Sequence, residues 1–106
     1  MSSNVKRIRA GTATEIPVGD MTVFKDGELE ILLIHLDSGI HAMNNKCIHG
    51  SCSLLHGIIE GANIRCRCHY SLFDIKTGAR LDGPATTPQP VYTVSVENNE
   101  IFVSLE

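Results

Sequence analysis

The amino-acid sequence predicts an all-β fold, an antiparallel sandwich or barrel formed by a single domain of 106 residues. Two observations support this prediction. The 3.6-residue apolar period of an amphipathic helix is not sustained anywhere along the chain. Strand-type stretches are instead separated by turn signals about every ten residues, as is typical of small all-β proteins.

The first predicted strands form a hairpin. Asp26-Gly27 is a favoured turn, and it separates the strand-type stretch 22–25 from the stretch 28–36. The second stretch is rich in Ile and Leu and therefore predicts a buried strand. A turn at 37–39 then leads into a further strand at 40–43.

The end of the chain predicts a second hairpin. Apolar and polar residues alternate over 92–97 and again over 101–105, on either side of Asn98-Asn99. This alternation is typical of half-buried antiparallel strands.

The middle of the chain interrupts the strand pattern. Residues 46–73 contain all four cysteines and three of the five histidines, and we expect loops and short hairpins there. Pro84, Pro88 and Pro90 predict a stiff, extended connection to the final hairpin.

Composition excludes several classes of partner. The net charge is −3 and the isoelectric point is near 5.9, so nucleic acid and anionic membranes are not expected partners. The longest apolar run, 29–36, is interrupted by Glu30 and His35 and is too short to span a membrane. The first eleven residues lack the apolar region of a signal peptide, and we expect a soluble cytoplasmic protein.

The four cysteines suggest metal or redox chemistry, because they are concentrated in a chain expected to be cytoplasmic. Cys47-Ile48-His49 is followed by sixteen residues and then by Cys66-Arg67-Cys68-His69. Each element offers a thiolate and an imidazole. A zinc ion would take all four ligands in one tetrahedron, whereas a two-iron cluster would place both cysteines on one iron and both histidines on the other. The spacing alone leaves both a zinc site and a two-iron cluster open.

The residues around these ligands resemble the two cluster-binding loops of high-potential Rieske proteins. The resemblance rests on the sequences CIHGSC at 47–52 and CRCHYS at 66–71. It implies that Cys52 and Cys68 form a disulfide. It also implies that each chain binds one 2Fe–2S cluster through four ligands, Cys47, His49, Cys66 and His69.

The resemblance covers nearly the whole chain. The sequence at 83–85 resembles the loop whose proline, here Pro84, shields the cluster, and Ser71 stands where a serine bonds a bridging sulfide. There are two departures. Arg67 replaces a usual proline, and Phe73 stands where respiratory Rieske proteins have a tyrosine that bonds a cysteine ligand.

The resemblance implies a Rieske domain with a base at 1–45 and 74–106 and a cluster-binding subdomain at 46–73. It also implies a soluble one-electron carrier. The sequence contains no substrate-pocket motif, nucleotide fingerprint or catalytic triad, so we expect a protein that is not itself an enzyme and has no small-molecule substrate. Its expected partners are a reductase and a terminal oxygenase. These would dock on the tip formed by 48–50 and 68–72, with Pro84 at its rim.

Two other functions remain open. The disulfide-type loops favour a Rieske subunit of a respiratory or arsenite-oxidase-like complex, but the expected lack of an anchor and a signal argues against it. A zinc-stabilised interaction module is the alternative from a different class. Of the other histidines, we expect His35 to be a hydrogen-bonded strand residue, and His41 and His56 to lie on the surface or in loops.

Overall fold

The computed structural model describes residues 6–48, 52–68, 70–83, 85 and 87–105. Its architecture confirms the all-β prediction, because helical structure in this part of the chain is limited to short 3₁₀ turns at Ala13–Glu15 and Leu54–His56. The strands, in chain order, are β1 (Lys6–Thr12), β2 (Met21–Asp26), β3 (Leu29–Leu36), β4 (Gly39–Asn44), β5 (Ile58–Glu60), β6 (Asn63–Arg65), β7 (Leu72–Asp74), β8 (Arg80–Asp82), β9 (Val91–Glu97) and β10 (Glu100–Leu105).

The strands form two antiparallel sheets. The larger has six strands in the order β1-β10-β9-β4-β3-β2, and the smaller has four in the order β5-β6-β7-β8. β8 belongs to the smaller sheet because Leu72 and Phe73 pair with Asp82 and Arg80. That sheet therefore extends beyond the range 46–73, and the division into two subdomains stays a prediction.

Both predicted hairpins are present. Asp26 pairs with Leu29, and Gly27 between them has a φ of 63°, which favours glycine. At the other end Glu97 pairs with Glu100, while Asn98 and Asn99 adopt φ values of 53° and 69°. Asparagine tolerates this left-handed conformation better than most residues, so both turns follow from their sequences.

β1 is a strand that the sequence analysis did not predict. Its apolar positions, Ile8 and Ala10, are set among the basic residues Lys6, Arg7 and Arg9, which obscure the alternation. β1 pairs along β10 at the edge of the larger sheet. There Arg7 forms an ion pair with Glu97, and Arg9 forms one with Glu100 at 2.9 Å.

β3 is buried on both faces and separates two apolar cores. Ile31 and Leu33 pack in a core with Ile101 and other residues of the larger sheet. Leu32 and Ile34 point to the opposite face, into a core that also contains two cysteines, Cys47 and Cys66. The prediction of a buried strand is therefore confirmed, and one of its faces forms the floor of the cysteine-rich region.

The three histidines outside the predicted ligand set differ in burial and contacts. His35 Nδ1 lies 2.6 Å from the carbonyl oxygen of Ile16, as expected for a hydrogen-bonded strand residue. His56 is exposed. His41 lies partly exposed in β4, and its Nε2 is 2.9 Å from Ser38 Oγ. Its partial burial lowers its pKa, as does nearby Lys76. No helix in the described ranges is long and apolar enough to cross a membrane.

Candidate metal centre

The first cysteine loop, residues 46–53, follows directly from β4. Its ends are held together by an isolated bridge between Lys46 and Ser53 and by a 2.7 Å hydrogen bond from Cys47 N–H to the carbonyl of Cys52. Cys47 is buried, and Ile48 beside it is 48% exposed. The loop thus turns one side toward the core and the other toward solvent.

Asn45 closes this loop from below. The side chain is buried, and its Nδ2 donates hydrogen bonds to Ser53 Oγ at 2.9 Å and Glu30 Oε1 at 3.0 Å. Its Oδ1 accepts from the Leu55 N–H at 2.9 Å, and its carbonyl accepts from the Leu54 N–H at 2.7 Å. Asn45 therefore joins the strand before the loop to the 3₁₀ turn after it.

Gln89 holds the same loop from the opposite side. Its Nε2 donates to the carbonyls of Asn44 and Lys46, both at 2.7 Å, and its Oε1 accepts from the Ile48 N–H at 2.7 Å. The side chain is only 1% exposed, so these bonds satisfy an amide that would otherwise be costly to bury.

The second cysteine loop, residues 66–71, joins β6 to β7. Cys66 N–H donates to the Ser71 carbonyl and Tyr70 N–H donates to the Cys66 carbonyl, each at 2.9 Å. Tyr70 has a φ of 64° and is 60% exposed. The Arg65 guanidinium donates to the Tyr70 carbonyl at 2.9 Å and forms an ion pair with Glu60, which lowers the pKa of that carboxyl.

A disulfide between Cys52 and Cys68 connects the two loops in the structure, with a Cα–Cα distance of 6.4 Å. The sulfur of Cys66 lies within 4.8 Å of both bridged sulfurs. Cys47 and Cys66 are outside the disulfide, and both belong to the same buried core. The pairing thus leaves out the two cysteines that the sequence analysis predicts as cluster ligands.

The structure does not place the histidines of the predicted site. His49, His69 and Pro84 lie outside the described residues. The described cysteines can still be compared with the ligands that an iron–sulfur cluster requires. Two buried cysteines from two loops, in one apolar core, fit a group that takes a pair of soft thiolate ligands.

The segment 83–90, here called the strap, lies against both loops. Ala85 N–H donates to Ser71 Oγ at 3.1 Å, and Arg80 donates to the carbonyls of Ala85 at 2.8 Å and Gly83 at 2.6 Å. Arg80 therefore binds the backbone on both sides of position 84. The Ser71 hydroxyl oxygen accepts this hydrogen bond, and its own proton can still be donated to another acceptor. The predicted bond from Ser71 to a bridging sulfide stays a prediction.

The apolar residues near the loops divide into buried and exposed groups. Leu54 and Phe73 are fully buried in the core shared with Cys47 and Cys66. Ile48 and Tyr70 are the large apolar side chains of the described loop residues that face solvent extensively.

Three residues that hold the loops were missed by the sequence analysis, namely Asn45, Arg80 and Gln89. The available signal was weak in each case. Gln89 stands between Pro88 and Pro90, where a polar side chain is typical of an exposed linker. Arg80 has the sequence context of an ordinary surface charge. Gln89 reaches the carbonyls of Asn44 and Lys46 only because the fold brings distant parts of the chain together, and Asn45 meets Glu30 for the same reason.

Both loops and the whole strap are included in the match to a known domain. The model of the Rieske [2Fe-2S] domain matches residues 6–93. The chain belongs to this family. The predicted resemblance is therefore confirmed, and so is the predicted cofactor, a 2Fe–2S cluster.

Curated relatives support the assignment along the full chain. The ferredoxin component of the naphthalene 1,2-dioxygenase/salicylate 5-hydroxylase systems of Ralstonia sp is 34% identical over 99 residues, covering 93% of this chain and 95% of the relative. The 3-phenylpropionate/cinnamic acid dioxygenase ferredoxin subunit of Escherichia coli (strain K12) is 34% identical over 102 residues, covering 95% of each.

Solved structures agree with this. The ferredoxin of carbazole 1,9a-dioxygenase from Nocardioides aromaticivorans IC177 superposes with a TM-score of 0.88 and 27% identity, covering 95% of this chain and 99% of that one. A chain from a complex of reduced oxygenase and oxidized ferredoxin in carbazole 1,9a-dioxygenase superposes with a TM-score of 0.86 and 26% identity, covering 94% and 97%. These relatives are named as ferredoxins, which confirms the prediction of an electron carrier that is not itself an enzyme.

Gly83 provides a test of the contact between the strap and the second loop. A Cβ at this position would lie 2.5 Å from Ser71 Cα, and the φ of 90° is unfavourable for other residues. We expect Gly83→Ala to displace the strap and to reduce cluster retention, measured by the decay of visible absorption.

Gly61→Ala is the matched control. Gly61 also has a positive φ, of 64°, but a Cβ there would meet nothing within 4 Å. This variant should lose about 1 kcal/mol of stability through backbone strain alone and keep the cluster as long as the wild type does. Equal cluster lifetimes in the two variants would contradict a role for the close contact at Gly83.

Proposed function

We propose that Cys47, His49, Cys66 and His69 bind the 2Fe–2S cluster and that the protein carries single electrons from a reductase to a terminal oxygenase. The burial of Cys47 and Cys66 in one core, with Cys52 and Cys68 already joined, is the observation that supports this ligand set most directly. The relatives named as ferredoxin components of dioxygenase systems support the choice of partners. A cytoplasmic location stays a prediction.

The donor set determines the electrostatics of the centre. Two thiolates balance the charge of two ferric ions and two sulfides, whereas four thiolates would leave two negative charges. A neutral centre accepts an electron more readily, and clusters of this class have potentials of roughly −150 to +300 mV. The histidines thus raise the potential without adding charge.

Cofactor content tests the ligand set. The purified protein should be reddish-brown and contain two iron ions and two inorganic sulfides per chain. His49→Cys and His69→Cys should lower the reduction potential if the cluster is retained, because each substitution adds a negative charge beside it. Redox titration followed by visible spectroscopy measures this shift.

His56→Cys is the matched control, because His56 is an exposed histidine outside the proposed ligand set. Its potential should equal that of the wild type. Stoichiometric zinc in a colourless protein, after anaerobic reconstitution with iron and sulfide, would contradict the proposal in favour of a zinc module.

We further propose that the bridge between Cys52 and Cys68 is present in the working protein and supports the cluster loops without ligating metal. Its sequence separation of 16 residues corresponds to about 3 kcal/mol of stabilisation in the chain-entropy model. The bridge acts together with Asn45 and Gln89, which hold only the first loop.

Thiol counting tests the bridge. After anaerobic cluster removal and denaturation without reductant, two thiols per chain should react, because the other two cysteines are oxidised. The variant with Cys52→Ser and Cys68→Ser should bind the cluster but lose it faster. Four reactive thiols in the wild type would show that the bridge is absent.

We propose that redox partners dock on the predicted tip, 48–50 and 68–72, at the exposed side chains of Ile48 and Tyr70. Both side chains are exposed and directly adjoin proposed ligands in the sequence, since Ile48 precedes His49 and Tyr70 follows His69. A solved complex of a related ferredoxin with its oxygenase supports a protein partner. With a net charge of −3, apolar contact should contribute more than long-range steering.

Substitution at the tip should slow electron transfer without changing the cluster spectrum. Tyr70→Asp suits the test because Asp tolerates the positive φ at this position. Val96→Asp is the control: Val96 is 47% exposed, close to the 48% of Ile48, but it lies on the C-terminal hairpin. Stopped-flow transfer to a terminal oxygenase should be slowed by Tyr70→Asp and Ile48→Asp only. Equal rates in all three variants would locate docking elsewhere.

A further inference from the structure

We propose that Gln89 is a positioning residue for the first ligand loop, and that its side chain sets both the retention and the reduction potential of the cluster. The proposal rests on the ligand set proposed above, because Cys47 lies in the segment that Gln89 binds.

The side-chain amide of Gln89 binds the backbone as a neighbouring strand would. Its partners are the carbonyls of Asn44 and Lys46 and the N–H of Ile48, all at 2.7 Å. These residues are two positions apart along the chain, so one side chain holds the backbone both before and after Cys47. Cys47 lies between Lys46 and Ile48, so a backbone group bound by Gln89 lies on each side of it.

The sequence explains why a side chain takes the place of a strand here. Pairing between β4 and β9 reaches Met43 and Val91, and Asn44 N–H still donates to the Pro90 carbonyl at 2.9 Å. Beyond that point Pro88 and Pro90 have no N–H to donate, so the ladder cannot continue through the backbone. The Gln89 amide supplies the missing donors and an acceptor as well.

Gln89 is itself held in place by a close backbone contact. Its N–H donates to the Gly78 carbonyl at 2.8 Å, and Gly78 N–H donates to the Asp74 carbonyl at 2.8 Å. A Cβ at Gly78 would lie 2.0 Å from the Gln89 carbonyl oxygen, so only glycine permits this approach. The backbone of Gln89 is therefore anchored to the turn after β7, and this contact does not involve the disulfide.

These contacts bear on the cluster through the orientation of Cys47. Potentials of iron–sulfur centres depend on hydrogen bonding and solvent access at the ligand sulfurs. Without Gln89, the peptide groups of Lys46 and Ile48 would turn to find other partners, and the environment of the Cys47 sulfur would change with them. A residue that stabilised only the fold would alter the unfolding transition but not the potential.

Gln89→Met tests the proposal because Met has a similar length and cannot form these hydrogen bonds. We expect cluster release to accelerate roughly tenfold or more, since several buried polar groups lose their partners. We also expect a shifted reduction potential and altered g values in the electron paramagnetic resonance spectrum of the reduced protein. Gln89→Glu keeps the acceptor for Ile48 N–H but places a second acceptor oxygen against the carbonyls of Asn44 and Lys46. It should therefore also accelerate cluster release and shift the potential.

Val103→Ala is the control, because Val103 is fully buried in the other core, away from the loops. It should lower the unfolding temperature while leaving the potential and the g values unchanged. If both Gln89 variants behave like Val103→Ala, the positioning role is wrong while the ligand set stands. A wild-type protein that binds no 2Fe–2S cluster would instead contradict the ligand set.

Hydrogen–deuterium exchange of the apoprotein separates the two conclusions further, since it requires no cluster. Exchange in peptides that cover 44–48 should be faster in Gln89→Met than in the wild type and in Val103→Ala. Unchanged exchange would overturn the proposed contact.

Discussion

The burial of β3 on both faces is the constraint on which the molecule depends. Ile31 and Leu33 fill the core of the larger sheet, while Leu32 and Ile34 fill the core that also contains Cys47 and Cys66. Adjacent residues of one strand thus stabilise the scaffold and line the candidate metal centre. Each such side chain contributes about 1.5–3 kcal/mol on burial, so a displacement of β3 itself would weaken both cores at once.

Much of the fold follows from local sequence patterns. The turns at Asp26-Gly27 and Asn98-Asn99 could be predicted because their residues tolerate unusual backbone angles, and β3 because its apolar run is nearly continuous. β1 was missed because a strand at a sheet edge, rich in arginine, carries little apolar alternation. Its place is determined by pairing with the far end of the chain, which no local pattern contains.

Prediction of the candidate site from the sequence was limited in the same way, because contacts between distant residues are not visible in a local pattern. The cysteines and histidines could be identified because metal ligands have chemically distinctive side chains at restricted spacings. Asn45, Arg80 and Gln89 could not, because their role lies in contacts with backbone groups rather than in residue type. The loops have little regular secondary structure of their own, so buried side-chain amides supply the hydrogen bonds that a sheet would otherwise provide.

The apolar surface at the tip has a consequence for the lifetime of complexes. Among the tip residues that the structure describes, the exposed large apolar side chains are Ile48 and Tyr70. Redox encounters typically bury less than about 1,200 Å² and are correspondingly weak. A carrier that alternates between a donor and an acceptor must leave each of them before it meets the other, and most differences in affinity are expressed in the dissociation rate. A small contact, as is typical of redox encounters, favours rapid exchange of partners over tight binding to either one.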